Sequence, residues 1–238
     1  MPARIDEIME IARRYEIPVL EDAAEGFGSK YKGQICGTFG DYGVMSFNGN
    51  KLITTSGGGA LICPDEETKK HVMFYATQAR EAYPYYQHEQ IGYNYRMSNI
   101  CAGIGRGQMT IVGEHIEHHR WVHDYYKKKL RGYDDIVLQS APERYMESNY
   151  WLSTIRFEDN KHTIDGKLLP LIERLSKMGI ETRPLWKPMH LQPVYKDAPA
   201  YVSGVSEHLF SCGLCLPSGP YVGEREINYI VQSIVDNL

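Results

Sequence analysis

The apolar positions change period several times along the chain. Ile5, Ile8, Met9 and Ala12 recur at helical spacing, which predicts a helix over residues 6–16. The unbroken run Ile17-Pro18-Val19-Leu20 reads as a short buried strand. Glu21 and Asp22 stand at its carboxyl end, where open α/β sheets place their ligand groups. Glycines punctuate the next stretch, and residues 42–47 and 60–63 read as two further strands. Pro64 and Asp65 open a predicted helix that runs to about Arg80, and residues 81–97 are aromatic and irregular. Ser98 is placed to cap one long helix over 99–132, with Ala102, Gly103, Gly105 and Gly107 marking close packing in its first half. The character changes between 132 and 149. Beyond it come a strand at 151–157, a helix at 164–178 stopped by Gly179, a strand at 181–186 and a helix at 223–237. The pattern is α/β, with a larger domain over 1–132 and a small C-terminal α/β domain over 133–238.

Composition narrows the function classes. The formal charge is −4 and there is no long basic run, so nucleic acid is not an expected partner. No apolar run approaches the roughly 20 residues that a membrane-spanning helix needs, and residues 1–6 carry no apolar leader core. Five cysteines, only Cys212 and Cys215 of them close together, read as reduced thiols of a cytoplasmic protein. His115, His118, His119 and His123 share a helix with Glu114 at i, i+3 and i+4 spacing. Without a metal-binding signature they read as a polar, exposed face, and no metal is expected.

The chemistry centres on Lys51. It follows a strand in Ser46-Phe47-Asn48-Gly49-Asn50-Lys51 and precedes Gly57-Gly58-Gly59. A lysine amine can form a Schiff base, and a carboxylate such as Asp22 can hold a pyridine nitrogen protonated. Together they point to pyridoxal 5′-phosphate (PLP). In that reading Asp22 faces the ring nitrogen and Glu25 approaches the ring oxygen. Ser46 and Asn48 reach the phosphate or ring from the lysine loop. Lys51 attaches the cofactor and later moves a proton as general base.

The same residues carry a resemblance. Glu21-Asp22-Ala23-Ala24-Glu25, Gly37-Thr38-Phe39-Gly40-Asp41, the segment 46–51, Thr54-Thr55-Ser56-Gly57-Gly58-Gly59, Gly92-Tyr93-Asn94-Tyr95-Arg96-Met97-Ser98 and Gln108-Met109 resemble the DegT/DnrJ/EryC1/StrS family of PLP-dependent sugar aminotransferases. The resemblance implies the aspartate-aminotransferase fold type: a three-layer PLP-transferase-like large domain, here incomplete at its N-terminus, and a homodimer. It also implies that Asn94 reaches the cofactor phosphate of the neighbouring subunit. Thr77-Gln78-Ala79-Arg80-Glu81 and residues 181–190 are most similar to bacillosamine-type members. Those transfer the amino group of glutamate to C4 of a UDP-linked 4-keto-6-deoxy-N-acetylhexosamine, which makes Arg183 and His190 substrate-side candidates. Family members with histidine in place of Lys51 are sugar dehydratases, so the lysine favours transamination.

The family pattern also includes an upstream segment with a Gly-Thr/Ser phosphate loop and a ring-stacking aromatic. Isolated residues 1–238 are therefore expected to hold PLP weakly or not at all. Two other readings are a catalytically incompetent fragment acting by association, and a PLP-dependent sugar dehydratase.

Overall fold

The computed structural model describes residues 1–238, which cluster into two compact units. The first comprises residues 1–116 and 141–149, and the second residues 117–140 and 150–238. The division falls inside a helix, earlier in the chain than the change of character near Gly132.

The first unit opens with α1 (Ile5–Arg14), which buries Ile5 and Ala12. Acidic residues in its first turn and basic residues in its last complement the helix dipole. Strands β1 (Leu20–Asp22), β4 (Tyr42–Ser46) and β5 (Gly59–Ile62) form a sheet in the order β1-β4-β5. β1 runs parallel to β4, and β5 antiparallel to it. A second small sheet joins β2 (Lys30–Tyr31), β3 (Gln34–Ile35) and β7 (Met146–Glu147) in the order β3-β2-β7. Ile5, Tyr31 and Met146 form its buried cluster.

Glu21 and Asp22 are the last two residues of β1, at its carboxyl end as expected, although the hydrogen-bonded strand begins only at Leu20 and not at Ile17. Helix α2 (Glu66–Ala76) is capped by the Asp65 carboxylate, which accepts from Thr68 N at 2.7 Å. Ser98 caps α3 (Asn99–Met109) as expected, its Oγ accepting from Cys101 N.

The long predicted helix is two helices, α3 and α4 (Val112–Lys129). At the junction Thr110 N and Ile111 N bond to carbonyls three residues back, and the Thr110 hydroxyl donates to Gly107 O. That tightening ends one helix before the next begins.

The second unit holds the larger core. Strands β6 (Ile136–Leu138), β8 (Ser153–Phe157), β9 (Arg183–Pro184) and β10 (Gly213–Leu216) form an antiparallel sheet in the order β6-β8-β10-β9. Helices α5 (Leu168–Lys177), α6 (Val205–Cys212) and α7 (Glu224–Val235), with two short 3-10 turns, complete the unit. Leu168, Leu171 and Leu175 of α5 share one core with Ile227 and Ile234 of α7, Ile155 and Leu214. Gly179, at φ +78°, stops α5 as the sequence suggests. Glu226 reaches back to the amide of Gly223 at the start of α7.

One reading of the sequence is corrected here. His119 and His123 are not on an exposed face; they are 5% and 1% accessible, on the side of α4 that also buries Val122 and Tyr126. His123 stacks on Tyr150 at 3.6 Å between ring centroids, and burial lowers its pKa. Cys212 and Cys215 are buried free thiols, the first at the end of α6 and the second in the fully buried strand β10. No helix is long and apolar enough to cross a membrane.

Between β8 and α5, Asp159 organises the turn. Its Oδ1 accepts from Lys161 N and His162 N at 3.0 Å, and its Oδ2 accepts from the buried His162 Nδ1 at 2.5 Å. Burial alone would raise the carboxyl, but these donors outweigh it and hold the pKa at about 2. A depressed carboxylate stabilises the fold above its unfolded pKa near 3.8 and loses that contribution as pH falls towards 2. We therefore expect Asp159→Asn to destabilise the protein at pH 6 by on the order of 2 kcal/mol in urea unfolding. The gap to wild type should close between about pH 4 and pH 2. A gap that stays constant over that range would contradict the assignment.

Candidate active site

The parallel register of β1 and β4 sets Glu21 opposite Gly43 and Asp22 opposite Val44. The approach is close: a Cβ on Gly43 would lie 2.0 Å from Gly37 O, so any side chain there would displace the loop after β3. Gly37 itself has φ +87°, a left-handed backbone that suits glycine.

Glu21 fastens this loop. Its Oε2 accepts from Gly37 N at 2.8 Å, and its Oε1 accepts from Phe39 N and Gly40 N at 2.5 and 2.7 Å. Asp41 closes the other side by accepting from Val19 N at 2.7 Å. The sequence pattern points to Asp22 as the ligand and assigns no role to its neighbour Glu21. Its position beside five closely spaced glycines was the available signal.

Asp22 is exposed, and its Oδ1 accepts from Ala24 N at 3.1 Å. Asp22 and Glu25, with Glu21, Cys36 and Phe39, line a cavity of about 350 Å³. Burial and the charge of Glu21 push the Cys36 thiol above its ordinary pKa, which disfavours the reactive thiolate.

Lys51 closes a turn, its backbone N donating to Asn48 O at 3.0 Å. The turn is anchored by Thr55 N to Phe47 O and Phe47 N to Gly58 O, and by burial of Leu52 and Ile53. Gln108 on α3 also holds it, with Oε1 accepting from Thr54 N at 3.2 Å. The Lys51 side chain is 14% accessible, and its Nζ lies 3.0 Å from Glu25 Oε1. A lysine on a turn between two strands thus meets the acidic segment that follows β1.

The other expected residues fall in three places. Ser46 ends β4, and its Oγ accepts from Asn48 N at 3.4 Å; Asn48 Nδ2 donates to Asn50 Oδ1. Asn94 is exposed and forms a single-pair bridge with Thr77. It is not among the residues lining the cavity. In the second unit, the exposed guanidinium of Arg183 pairs with Glu181 at 2.8 Å, and His190 Nε2 lies 2.7 Å from Glu207 Oε1.

The profile of the DegT/DnrJ/EryC1/StrS aminotransferase family matches residues 1–235. A Bacillus subtilis protein named as a putative pyridoxal phosphate-dependent aminotransferase, EpsN, is 43% identical over 98% of this chain and 60% of its own length. The GDP-perosamine synthase of Escherichia coli O157:H7 is 35% identical over 98% of this chain and 62% of its own. The crystal structure of a DegT DnrJ EryC1 StrS aminotransferase from Brucella abortus superposes with a TM-score of 0.84 at 28% identity. That match covers 99% of this chain and 61% of the other. The chain thus spans about 60% of the length of these relatives, and the PLP-transferase-like α/β fold expected from the sequence is the fold observed.

The Glu21 arrangement makes a prediction. Glu21→Ala leaves three amide donors without their charged acceptor, at a cost of roughly 2–4 kcal/mol. Amide hydrogen exchange at Gly37, Phe39 and Gly40 should accelerate more than exchange in α5. Equal acceleration at both would mean that Glu21 has no local role.

Proposed function

The chain belongs to the DegT/DnrJ/EryC1/StrS aminotransferase family, and on that premise we propose that it carries the lysine-bearing part of a PLP-dependent nucleotide-sugar aminotransferase site. The observation that carries the reading is the contact of a mostly buried Lys51 Nζ with Glu25 Oε1 at 3.0 Å, where Glu25 lines a cavity together with Asp22. The donor set suits PLP. It offers one amine for the aldehyde and a carboxylate, Asp22, for the protonated ring nitrogen. Glu25 stands beside the amine, and Ser46 at the end of β4 and Asn48 on the following turn offer a hydroxyl and an amide donor for phosphate.

When bound, PLP supplies an electron sink for the carbon that loses or gains the amino group. The protein's own groups then have separate tasks. Asp22 holds the ring charge. Glu25 would hold the Lys51 amine in place whenever that amine is free of the cofactor. Lys51 Nζ moves the proton at the substrate carbon. Glutamate is the proposed amino donor, and Arg183 and His190 are proposed to meet the substrate. Asn94 is proposed to serve a second copy of the chain. Exposed Tyr86, Ile91 and Tyr95 in the same stretch of chain support a surface covered in a homodimer. Five free thiols agree with a reducing compartment such as the cytoplasm.

The acceptor proposed is a UDP-linked 4-keto-6-deoxy-N-acetylhexosamine, on the resemblance of residues 77–81 and 181–190 to bacillosamine-type enzymes. A GDP-linked keto sugar is the second reading, supported by the 35% identity to a GDP-perosamine synthase.

The protein should be incubated with PLP, L-glutamate and each nucleotide-linked 4-keto sugar, and the amino sugar and 2-oxoglutarate followed by mass spectrometry. At millimolar PLP, which offsets the weak cofactor binding expected of residues 1–238, amino sugar should form from one of the two, and Lys51→Ala should reduce its formation by about 10²–10⁴-fold. Undiminished product with Lys51→Ala, or ammonia release without amino sugar, would overturn the reading.

A further inference from the structure

We propose that Asn149 is a positioning residue for the Lys51–Glu25 pair. This inference rests on the reading of Lys51 given above. Between β1 and β2 the chain runs from Ala23 to Ser29 outside any strand or helix, and this irregular stretch carries Glu25. Asn149 sits over it. Its Nδ2 donates to Glu25 O at 2.9 Å and to Phe27 O at 3.0 Å. Its backbone N donates to Ser29 Oγ at 2.9 Å. Asn149 is 1% accessible and Ser29 is fully buried, so these bonds are shielded from water.

The route of the chain fits this role. Residues 141–149 return to the first unit, where β7 pairs with β2 through Met146–Tyr31 and Glu147–Lys30. Two residues after that pairing, Asn149 meets the loop. Gly28, at φ +73°, shapes the same stretch, and a Cβ there would lie 2.4 Å from Ile116 Cδ1. The backbone of Glu25 is thus fixed by a side chain 124 residues away, while its carboxylate reaches Lys51.

Two carbonyls facing one side chain require two N–H donors. A primary amide supplies both; a carboxylate supplies none and would set lone pairs against lone pairs. With Asn149 removed, the loop loses the anchor of the residue that holds the lysine amine, so the predicted effect appears at Lys51.

The test reads Lys51 directly and needs no cofactor. The cofactor-free protein is treated with acetic anhydride, and acetylation of Lys51 is followed by peptide mass spectrometry against exposed Lys177. Glu25→Gln should raise the Lys51 rate by roughly two- to fivefold, the size expected for loss of a half-exposed ion pair. Asn149→Ala and Asn149→Asp should raise it to a similar extent. The double variant E25Q/N149A should react no faster than E25Q alone, because both changes break one arrangement. If N149A does not fold, Ser29→Ala, which removes only the acceptor of Asn149 N, should give a smaller rise in the same direction.

A Lys51 rate unchanged in folded N149A or S29A, or an additive effect in the double variant, would overturn the proposal even if thermal stability falls. Failure of the aminotransferase reading would look different. PLP would then not attach to Lys51, while the acetylation rates would still respond to Asn149.

Discussion

Three residue pairs between β1 and β4 set the geometry of the candidate site: Leu20 with Tyr42, Glu21 with Gly43 and Asp22 with Val44. Because strand side chains alternate between faces, a slip of one residue would move Asp22 to the opposite face and send Glu21 away from the loop it binds. The register also requires a glycine at 43, where the backbone of Gly37 leaves no room for a Cβ. Glu21 then converts the register into a fixed loop by binding three backbone amides with one carboxylate. Asp22 and the turn bearing Lys51 both inherit their positions from this pairing.

The two units are held together internally by different means. In the second, sixteen buried apolar residues from three strands (β6, β8 and β10), several helices and the turns beside them form one continuous cluster, and packing fixes the elements. In the first, the buried cluster is small, and α2 and α3 bury no residue fully. There, polar side chains hold the irregular segments. Glu21 and Asp41 tie the loop between β3 and β4, Gln108 ties the loop after Lys51, and Asn149 ties the loop after β1. Charge-assisted and doubly bonded contacts of this kind are directional. They suit a site in which an amine and two carboxylates must keep fixed relations.

Much of this arrangement is legible in the sequence. An apolar run followed by Glu21-Asp22, then a strand, a serine and a lysine before three glycines gives the order of the site. Ser98 and Asp65 announce their helices, and Gly179 announces an end, because caps are local chemistry. The features that escape are those set by distant partners. Asn149 has no local signature, since the carbonyls it binds are more than 120 residues away. Strand β10, buried at all four positions, shows no alternation and reads instead as a pair of cysteines. The break between α3 and α4 lies in one tightened turn, where Thr110 N and Ile111 N bond three residues back and the Thr110 hydroxyl adds a bond to Gly107 O. Burial of His119 and His123 depends on Val122 and Tyr126, not on their own polarity.

On the reading proposed here the cofactor attaches to the amine held by Glu25. That attachment is tested most directly by mixing the protein with millimolar PLP, reducing with borohydride and mapping the modified peptide. High cofactor concentration makes the experiment informative even where binding is weak. A pyridoxyl group should appear on Lys51 in clear excess over every other lysine, with the excess diminished in Asp22→Ala. Label spread evenly over the exposed lysines, with Lys51 no more modified than the rest, would contradict it.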